Sequence, residues 1–342
     1  MRFMRITVGA VAMVCLFGTV SIQEVQAEEE LVVMSWGGTW GDSLQKNIMA
    51  PFEKKTGIKM TLVHQLNGRD GLNKLRAQQN NPQVDIWTAD NSSQELGAKH
   101  GLLLPVTEDM VPNLKYSREK GSEYSLNWYY HCPGLFYRVD RSPFELKGWE
   151  DCWDPRLKGQ LAVPEATFTA GRFLVVAALL AGGNERNMEP GFKKLEELKP
   201  NIAMFFKTDA ESIKFLESGE ASVCSMGLLP NVYKLLGEGS NYRFVIPEYP
   251  QLLIFNNVAL VKGRKNTKAA AEFINYMLSE EAQEAHCSAL GLVPINKNAK
   301  FPPKLANIIP KESKGWYQVD MDLINQHLSE WTEIYNKRIK TR

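Results

Sequence analysis

The sequence predicts an α/β fold. Beyond residue 30, short apolar segments that suit strands alternate with longer stretches in which apolar residues recur at helical spacing. Several of the apolar segments are continuous, as expected for strands of a parallel sheet that is covered on both faces. The chain has 342 residues, of which 44% are hydrophobic and 23% are charged, so its composition is typical of a folded protein of one or two domains.

Residues 1–27 have the pattern of a secretory signal peptide. Arg2 and Arg5 give a positive start, Ile6–Val20 is mainly apolar, and Val25–Ala27 offers a small-x-small cleavage site. The apolar segment of about 15 residues is short of the roughly 20 that a membrane-spanning helix needs, so a signal peptide is favoured over a membrane anchor. We therefore expect an exported, periplasmic protein.

The elements that follow begin with a β-α-β-α-β unit. Its strands are predicted at 31–35, 58–63 and 84–88, and its helices at about 40–55, ended by Gly57, at 70–79, and after the N-cap cluster 90–93. Ligands of such units normally bind outside the carboxyl ends of the strands. Trp36, Gly37, Gly38 and Thr39 follow the first strand, and Asp90 follows the third.

A second unit begins near residue 133. Strands are predicted at 135–137, 161–163, 203–206, 221–226, 244–246 and 254–261, and helices at 171–181, 192–198, 209–216, 230–236 and 268–278. The helix at 171–181 is preceded by Thr167, Phe168 and Thr169. A last amphipathic helix is predicted from about 319 to 339.

Charge and motifs exclude several function classes. The 40 basic and 39 acidic residues leave a net charge of +1, which argues against a nucleic-acid partner. No phosphate-loop, Gly-x-Ser-x-Gly, His-x-x-Glu-His or Cys-x-x-Cys motif occurs, which disfavours an enzyme. The histidines and the four cysteines outside the signal peptide fit no metal-ligand spacing, so we expect no metal and no cofactor. The cysteines at 132, 152, 224 and 287 are expected to be buried thiols, with one disulfide left open.

A series of short motifs then runs in one order through residues 30–340. They are Trp36-Gly-Gly-Thr-Trp40, Phe52-Glu-Lys-Lys-Thr-Gly-Ile58, Pro82-Gln-Val-Asp85-Ile86, Gly134-Leu-Phe-Tyr-Arg138, Trp149-Glu-Asp-Cys-Trp-Asp-Pro155 with Lys158-Gly159, Ser218-Gly-Glu-Ala221, the helix 266–278 and Pro294-Ile-Asn296. In this order they resemble the solute-binding proteins of bacterial ABC importers. The most similar group is the iron(III), thiamine and polyamine cluster, which includes spermidine- and putrescine-binding proteins.

The resemblance implies a two-lobed periplasmic-binding-protein fold of type II with the ligand between the lobes. Lobe one is expected at 28–134 plus 257–315, lobe two at 135–256, and a C-terminal helix at 316–342 that packs on the lobes. The chain is expected to cross between lobes near residues 134 and 256. It also implies a non-enzymatic monomer that closes by hinge motion on a small-molecule solute. Its partners would be permease subunits in the inner membrane, with the ATPase on a separate chain.

The resemblance also allows the ligand class to be questioned residue by residue. Trp36 matches a ring-bearing position of the polyamine branch, but the acidic positions of that branch match Thr169, Arg172 and Asn256. A polyamine would meet Coulomb repulsion from Arg172. The adjacent tyrosines of the iron branch are not found at 225–230. A small organic anion or zwitterion, of carboxylate or phosphonate type, is therefore favoured, with a polyamine or other cation as the alternative.

The candidate ligand-binding residues are grouped at three chain corners with aromatic side chains between them. They are Trp36, Gly37, Gly38, Thr39, Asp90, Asn91, Ser92, Tyr130, Thr167, Phe168, Thr169, Arg172 and Asn256. Helix N-termini and a guanidinium fork are suited to anions.

Structural interpretations stay open beside this one. The hydroxyl side chains could cap helices, Arg172 could pair with Glu165, and residues 128–130 could be partly core. An exported enzyme that uses Asp85, Asp90 and Glu165, and a binding protein that serves a sensor, are the remaining alternatives.

Overall fold

The computed structural model describes residues 30–305, 308 and 316–341, and the predicted signal peptide lies outside these ranges. Within them the chain forms two large β-sheets, each flanked by helices, and a third sheet of two short strands. None of the helices in these ranges combines the length and the apolar character needed to cross a membrane.

The strands are β1 (Glu30–Trp36), β2 (Lys59–Gln65), β3 (Ile86–Asp90), β4 (Leu103–Leu104), β5 (Gly121–Ser122), β6 (Ser125–His131), β7 (Pro133–Arg138), β8 (Leu161–Pro164), β9 (Ile202–Phe206), β10 (Val223–Leu228), β11 (Tyr242–Val245), β12 (Gln251–Leu252), β13 (Ile254–Val261), β14 (Val293–Pro294) and β15 (Trp316–Tyr317). The helices are α1 (Gly38–Leu44), α2 (Ala50–Thr56), α3 (Gly68–Ala77), α4 (Asn91–Lys99), α5 (Arg172–Leu180), α6 (Glu189–Leu198), α7 (Asp209–Ser218), α8 (Leu229–Val232), α9 (Thr267–Met277), α10 (Glu280–Leu290) and α11 (Met321–Tyr335). A π-helical turn, Gln45–Met49, joins α1 to α2.

Lobe one is built on the larger sheet, in the order β14-β6-β13-β3-β1-β2. β1 runs parallel to β2 and β3, while β13 is antiparallel to β3 and β6. Strand β6 is buried along its whole length and was not predicted, because its run of polar and aromatic residues has no alternation of apolar and polar positions. The aromatic residues 128–130 are therefore core side chains of this sheet.

Lobe two is built on the five-stranded sheet, in the order β11-β7-β10-β8-β9. Helix α5 packs on this sheet and is apolar all round, so its residues Phe173–Leu179 are buried. Helix α6 packs against α5, where Gly191 allows the two backbones to approach closely.

The chain crosses between the two sheets at points slightly earlier than expected. β6 ends at His131 and β7 begins at Pro133, so the first crossing lies at Cys132. β13 already begins at Ile254, which pairs with His131. Residues 254–256 therefore belong to the sheet of lobe one and not to lobe two, because their backbone completes the pairing with β6 and β3.

The C-terminal helix packs on lobe two. Ile324, Trp331 and Tyr335 of α11 lie in the apolar core of lobe two, and the Tyr335 hydroxyl donates to the Pro164 carbonyl at 2.9 Å. The guanidinium of Arg338 forks onto Glu196 and also pairs with Glu189 of α6.

The four cysteines at 132, 152, 224 and 287 are all buried free thiols, so the disulfide that was left open does not form between them. Burial raises the pKa of the thiols of Cys132 and Cys224 to about 12. Thiols with such pKa values are almost entirely protonated at neutral pH and are poor nucleophiles. Their role is therefore packing.

Candidate functional site

The predicted ligand-binding residues lie on two parts of the fold, at strand ends of lobe one and at the start of α5 in lobe two. One wall consists of the carboxyl ends of β1 and β3 in lobe one, and the other of residues 167–172 in lobe two. Arg172 of lobe two is close enough to Asp90 and His131 of lobe one for electrostatic interaction with both. We call the space between these walls the interlobe cleft.

Aromatic rings line the lobe-one wall. The ring of Trp36 lies 6.4 Å from that of Trp40, which in turn stacks on Tyr129 at 6.0 Å. An open cavity of about 510 Å³ adjoins these rings. It is lined by Trp36, Gly37, Gly38, Trp40, His64, Gln65, Leu66 and Lys74. Leu66 is 86% exposed at its rim, so the wall presents apolar surface on which a ligand body can pack.

Helix α1 begins at Gly38, two residues earlier than predicted, so Thr39 lies inside the helix and does not cap it. Gly37 precedes the helix without any side-chain cap, and Gly38 has a φ of 61°, which favours glycine. A side chain at Gly38 would meet open space, and Thr39 is exposed. The backbone N–H groups of this turn are thus unobstructed on the cavity side.

Asp90 and Ser92 are held by bonds within lobe one. The Asp90 carboxylate caps α4 by accepting from the Ser93 backbone N–H at 2.9 Å. It also accepts from the hydroxyls of Ser92 at 2.7 Å and Ser93 at 2.9 Å. Asn91 accepts at 3.1 Å from the hydroxyl of Ser125. These side chains lie at the cleft edge, but Asp90 and not Ser92 is the helix cap.

The segment before α5 differs from the prediction. The helix begins at Arg172, because Thr169, Ala170 and Gly171 all have left-handed backbone, with φ of 49°, 54° and 79°. Thr169 therefore caps no helix; its hydroxyl donates to the sulfur of Met226 at 3.4 Å. Thr167 is exposed in the same segment.

Phe168 and Tyr130 contribute less to the cleft than predicted. Phe168 packs edge-on against Phe206 of lobe two at 5.1 Å. Tyr130 is buried against Phe255 at 5.6 Å and Trp316 at 6.1 Å, and burial raises the pKa of its hydroxyl. Both rings are occupied by protein contacts, so Trp36 is the aromatic residue of the predicted set that faces the cavity.

Arg172 is a half-buried cation without a carboxylate partner in hydrogen-bond contact among the described residues. Its Nη1 donates to the Thr169 carbonyl at 2.7 Å, and its Nε is buried without a hydrogen bond. Burial lowers the pKa of the guanidinium to about 10, and the charge of Asp90 opposes this shift. The alternative pairing with Glu165 is wrong, because Glu165 pairs with Lys340 at 2.6 Å.

Asn256 lies on β13 directly between Asp90 of β3 and Tyr129 of β6. Its side chain is 7% exposed and makes no hydrogen bond with the described residues. A neutral amide thus lies beside Asp90.

Sequence reasoning missed His131 at the end of β6. The side chain is buried, its Nδ1 has no partner, and burial together with the Arg172 charge lowers the pKa of the ring to about 3. The histidines were set aside because they lack metal-ligand spacing. Its position in the chain could have indicated this residue, because His131 comes directly before the crossing between the lobes.

The lobes also touch through Tyr233, which follows α8 of lobe two. Its ring lies against Gly291, the left-handed residue that ends α10 of lobe one. A Cβ at Gly291 would lie 2.3 Å from a ring carbon of Tyr233, so this contact requires glycine. The ring is buried, and burial raises the pKa of its hydroxyl.

The acids proposed for an enzyme do not form a site. Asp85 lies at the opposite, amino-terminal end of β3, where Arg264 forks onto it at 2.8 and 3.1 Å and the Val32 N–H donates to it at 2.8 Å. Glu165 is held by Lys340. Across residues 30–305, 308 and 316–341, no cluster of His, Cys, Asp and Glu has the arrangement of a metal site.

The chain is similar in sequence to known solute-binding proteins. Residues 47–308 match the family model of bacterial extracellular solute-binding proteins. Spermidine/putrescine-binding periplasmic protein 1 of Haemophilus influenzae is 26% identical over 290 residues, 80% of this chain and 77% of that protein. The gamma-aminobutyric acid-binding protein of Pseudomonas aeruginosa is 22% identical over 341 residues, 94% of each chain.

Solved structures share the fold. The crystal structure of an ABC transporter from Clostridium perfringens superposes with a TM-score of 0.75 at 29% identity, covering 90% of this chain and 99% of that one. The predicted α/β architecture with two lobes of type II is confirmed, as is the resemblance that the order of motifs indicated.

Proposed function

The chain belongs to the bacterial extracellular solute-binding proteins, and we propose that it is the periplasmic solute-binding subunit of an ABC importer. In this role it captures a small organic solute in the interlobe cleft and delivers it to permease subunits in the inner membrane. The ATPase is then a separate chain. The family is one of solute-binding proteins and not of enzymes, and the relative from Haemophilus influenzae is named as periplasmic.

The solute carries an anionic group, and Arg172 supports this proposal. Its Nη1 is held by the Thr169 carbonyl, which leaves the edge formed by Nε and Nη2 for a ligand. This edge binds a carboxylate or phosphonate through two parallel hydrogen bonds. A guanidinium in a partly dry cleft is unfavourable until an anion compensates it. A solute that brings a carboxylate therefore gains more from this cleft than a neutral or cationic one.

A zwitterion fits the same cleft. Asp90 lies near Arg172 and carries the opposite charge, and the rings of Trp36 and Trp40 offer apolar surface beside them. An ω-amino acid presents a carboxylate to Arg172 and an ammonium group to Asp90. The name of the relative from Pseudomonas aeruginosa, a gamma-aminobutyric acid-binding protein, is consistent with this class of solute.

A polyamine is the second candidate. The relative from Haemophilus influenzae is named for spermidine and putrescine, and Asp90 and Trp36 could receive one ammonium group and part of the methylene chain. The far end of a diamine would then meet Arg172, with the neutral Thr169 and Asn256 where an acid would be required. The charge of Arg172 favours the anionic candidate over the polyamine.

Paired probes test the ligand class. 4-Aminobutyrate and putrescine share an ammonium group and an alkyl chain but differ at the other end, so their difference in affinity reports the charge preference of the cleft. Titration calorimetry is expected to favour 4-aminobutyrate or another carboxylate, with compaction of the protein in small-angle scattering. Binding of putrescine alone contradicts the anionic class.

Two further observations separate the remaining functions. Mass spectrometry of a solute co-purified with the protein identifies the ligand directly, and an unchanged solute after long incubation argues against turnover. Neighbouring genes for a permease and an ATPase support an importer, whereas a neighbouring sensor gene alone supports a sensor partner. A bound solute at 100 times its Kd stabilises the protein by about 2.7 kcal/mol, which a thermal-shift screen detects.

A further inference from the structure

His131 is a polar group of the interlobe cleft to which no role has yet been given. It is the last residue of β6, directly before the crossing at Cys132, and its side chain is 5% exposed. Its ring lies 6.1 Å from that of Trp40 in lobe one, while the charge of Arg172 in lobe two also acts on it. The imidazole therefore lies where the two lobes meet.

Two buried polar atoms at this junction lack a hydrogen bond to any described residue. They are Nδ1 of His131 and Nε of Arg172. Buried polar atoms without a partner are unfavourable and rare in native proteins, so each one requires an explanation. Two of them at one junction indicate a binding partner that the chain itself does not provide.

The chemistry of these atoms specifies the partner. The Nε–H of a guanidinium can only donate. The ring of His131 is neutral at physiological pH because its pKa is lowered to about 3, so it carries one N–H, which sits on Nδ1 in one of its two tautomers. An oxyanion accepts from both donors at once. An ammonium group, itself a donor, cannot satisfy either of them.

We propose that His131 is a ligand-binding residue that donates through Nδ1 to the same oxyanion that Arg172 binds. The inference rests on the proposed function, because it adds a residue to the site of that solute. His131 belongs to lobe one and Arg172 to lobe two, so the anion receives both hydrogen bonds only when the lobes are closed. The pair thereby links selection of an oxyanion to closure of the cleft.

Calorimetric titration of the mature protein with 4-aminobutyrate, glutarate and methylphosphonate tests this assignment. His131→Leu keeps an apolar side chain of similar bulk but removes the donor. It is expected to weaken binding of the probes that the wild type binds by about 10- to 100-fold, the range for a hydrogen bond to a charged group. His131→Asn places an amide nitrogen where Nδ1 lies, so it is expected to restore most of the affinity.

His286 provides a matched control. It is also buried and has an unpartnered Nε2, but it stacks on Trp128 at 4.8 Å and contacts the Ser43 hydroxyl at 3.1 Å, all within lobe one. His286→Leu is expected to lower the melting temperature and to leave probe affinity unchanged. The difference between the two substitutions separates a ligand contact from general packing.

Each outcome is decisive. Equal affinity in wild type and His131→Leu overturns the assignment and leaves the solute-binding function intact. A wild-type protein that binds none of the three oxyanions also overturns it, and binding of putrescine by that protein shows that solute binding itself survives. If His131→Leu fails to fold, NMR of ¹⁵N-histidine-labelled wild type decides. A proton on Nδ1 whose signal shifts at saturation supports the assignment, and ring signals unaffected by a bound probe contradict it.

Discussion

Replacing Arg172 by Met is expected to stabilise the solute-free protein while abolishing tight solute binding. Burial lowers the pKa of the guanidinium from 12.5 to about 10, which corresponds to about 3 kcal/mol at 1.36 kcal/mol for each tenfold change. Met keeps the length of the side chain and removes this unfavourable charge. Against this, the hydrogen bond to the Thr169 carbonyl is lost, at a cost of roughly 1.5–3 kcal/mol. The net gain in the free energy of unfolding is therefore about 1 kcal/mol.

The effect on affinity has the opposite sign. Removing one partner of a buried charge pair costs roughly 2–5 kcal/mol, which is on the order of 30- to several-thousand-fold in Kd. Urea unfolding of the solute-free protein and calorimetric titration with 4-aminobutyrate measure the two effects separately. Arg172→Lys should recover only part of the affinity, because an ammonium group cannot make the planar fork.

A specific pattern refutes this reasoning. If Arg172→Met loses stability and keeps full affinity, the guanidinium holds the backbone turn at Thr169–Gly171 and takes no part in binding. Improved binding of putrescine by Arg172→Met, with no carboxylate bound by either protein, would return the cleft to the polyamine class.

Three further predictions concern closure, backbone strain and acid stability. Gly291→Ala is expected to weaken solute binding and to enlarge the particle in small-angle scattering, because the new Cβ would lie 2.3 Å from the ring of Tyr233. Gly57→Ala is the control, because Gly57 is also left-handed at a helix end but faces open space. This substitution is expected to lower the free energy of unfolding by about 1 kcal/mol and to leave solute affinity unchanged. Ala170→Gly is expected to raise the free energy of unfolding by about 0.5–1 kcal/mol, because it relieves a φ of 54°; a decrease would show that this turn is not strained. Burial lowers the pKa of His286 to about 3 in the folded state, so stability is complete above pH 6.5 and falls as the pH drops toward 3. Urea unfolding between pH 6.5 and 5 measures how steeply the free energy of unfolding falls with pH. In His286→Gln this fall is expected to be smaller than in the wild type by about 1 kcal/mol per pH unit, and an equal fall in both proteins would contradict a neutral buried ring.

The secondary structure was predictable wherever a local pattern coincided with burial. β1 contains the apolar run 31–34 and β13 the apolar run 258–261, and Gly57 ends α2 in the left-handed conformation that glycine allows. β6 was not predictable, because its buried tyrosines, tryptophan and asparagine become core only through neighbouring strands that lie far away in sequence. Local pattern contains no information about such contacts.

The candidate site was also predictable only where it depends on local sequence pattern. The chain corners at Gly37 and Asp90 could be predicted, since they depend on where a strand ends and a helix begins. The hydrogen bonds of Asp90 and the left-handed turn before Arg172 could not, because they depend on side-chain and backbone geometry. His131 escaped notice because its importance comes from Arg172, which is distant in sequence and joins it only in the folded chain.

The acid nearest to Arg172 in sequence is bound by the C-terminal segment. Glu165 follows β8, seven residues before Arg172 in sequence. Lys340 binds Glu165 at 2.6 Å, and Arg338, two residues earlier, is fixed by Glu189 and Glu196. The carboxylate of Glu165 is therefore paired with Lys340 and not with Arg172. The C-terminal segment thus does more than cover the core of lobe two: it also pairs with the acid nearest to Arg172 in sequence, which is consistent with the anionic solute proposed above.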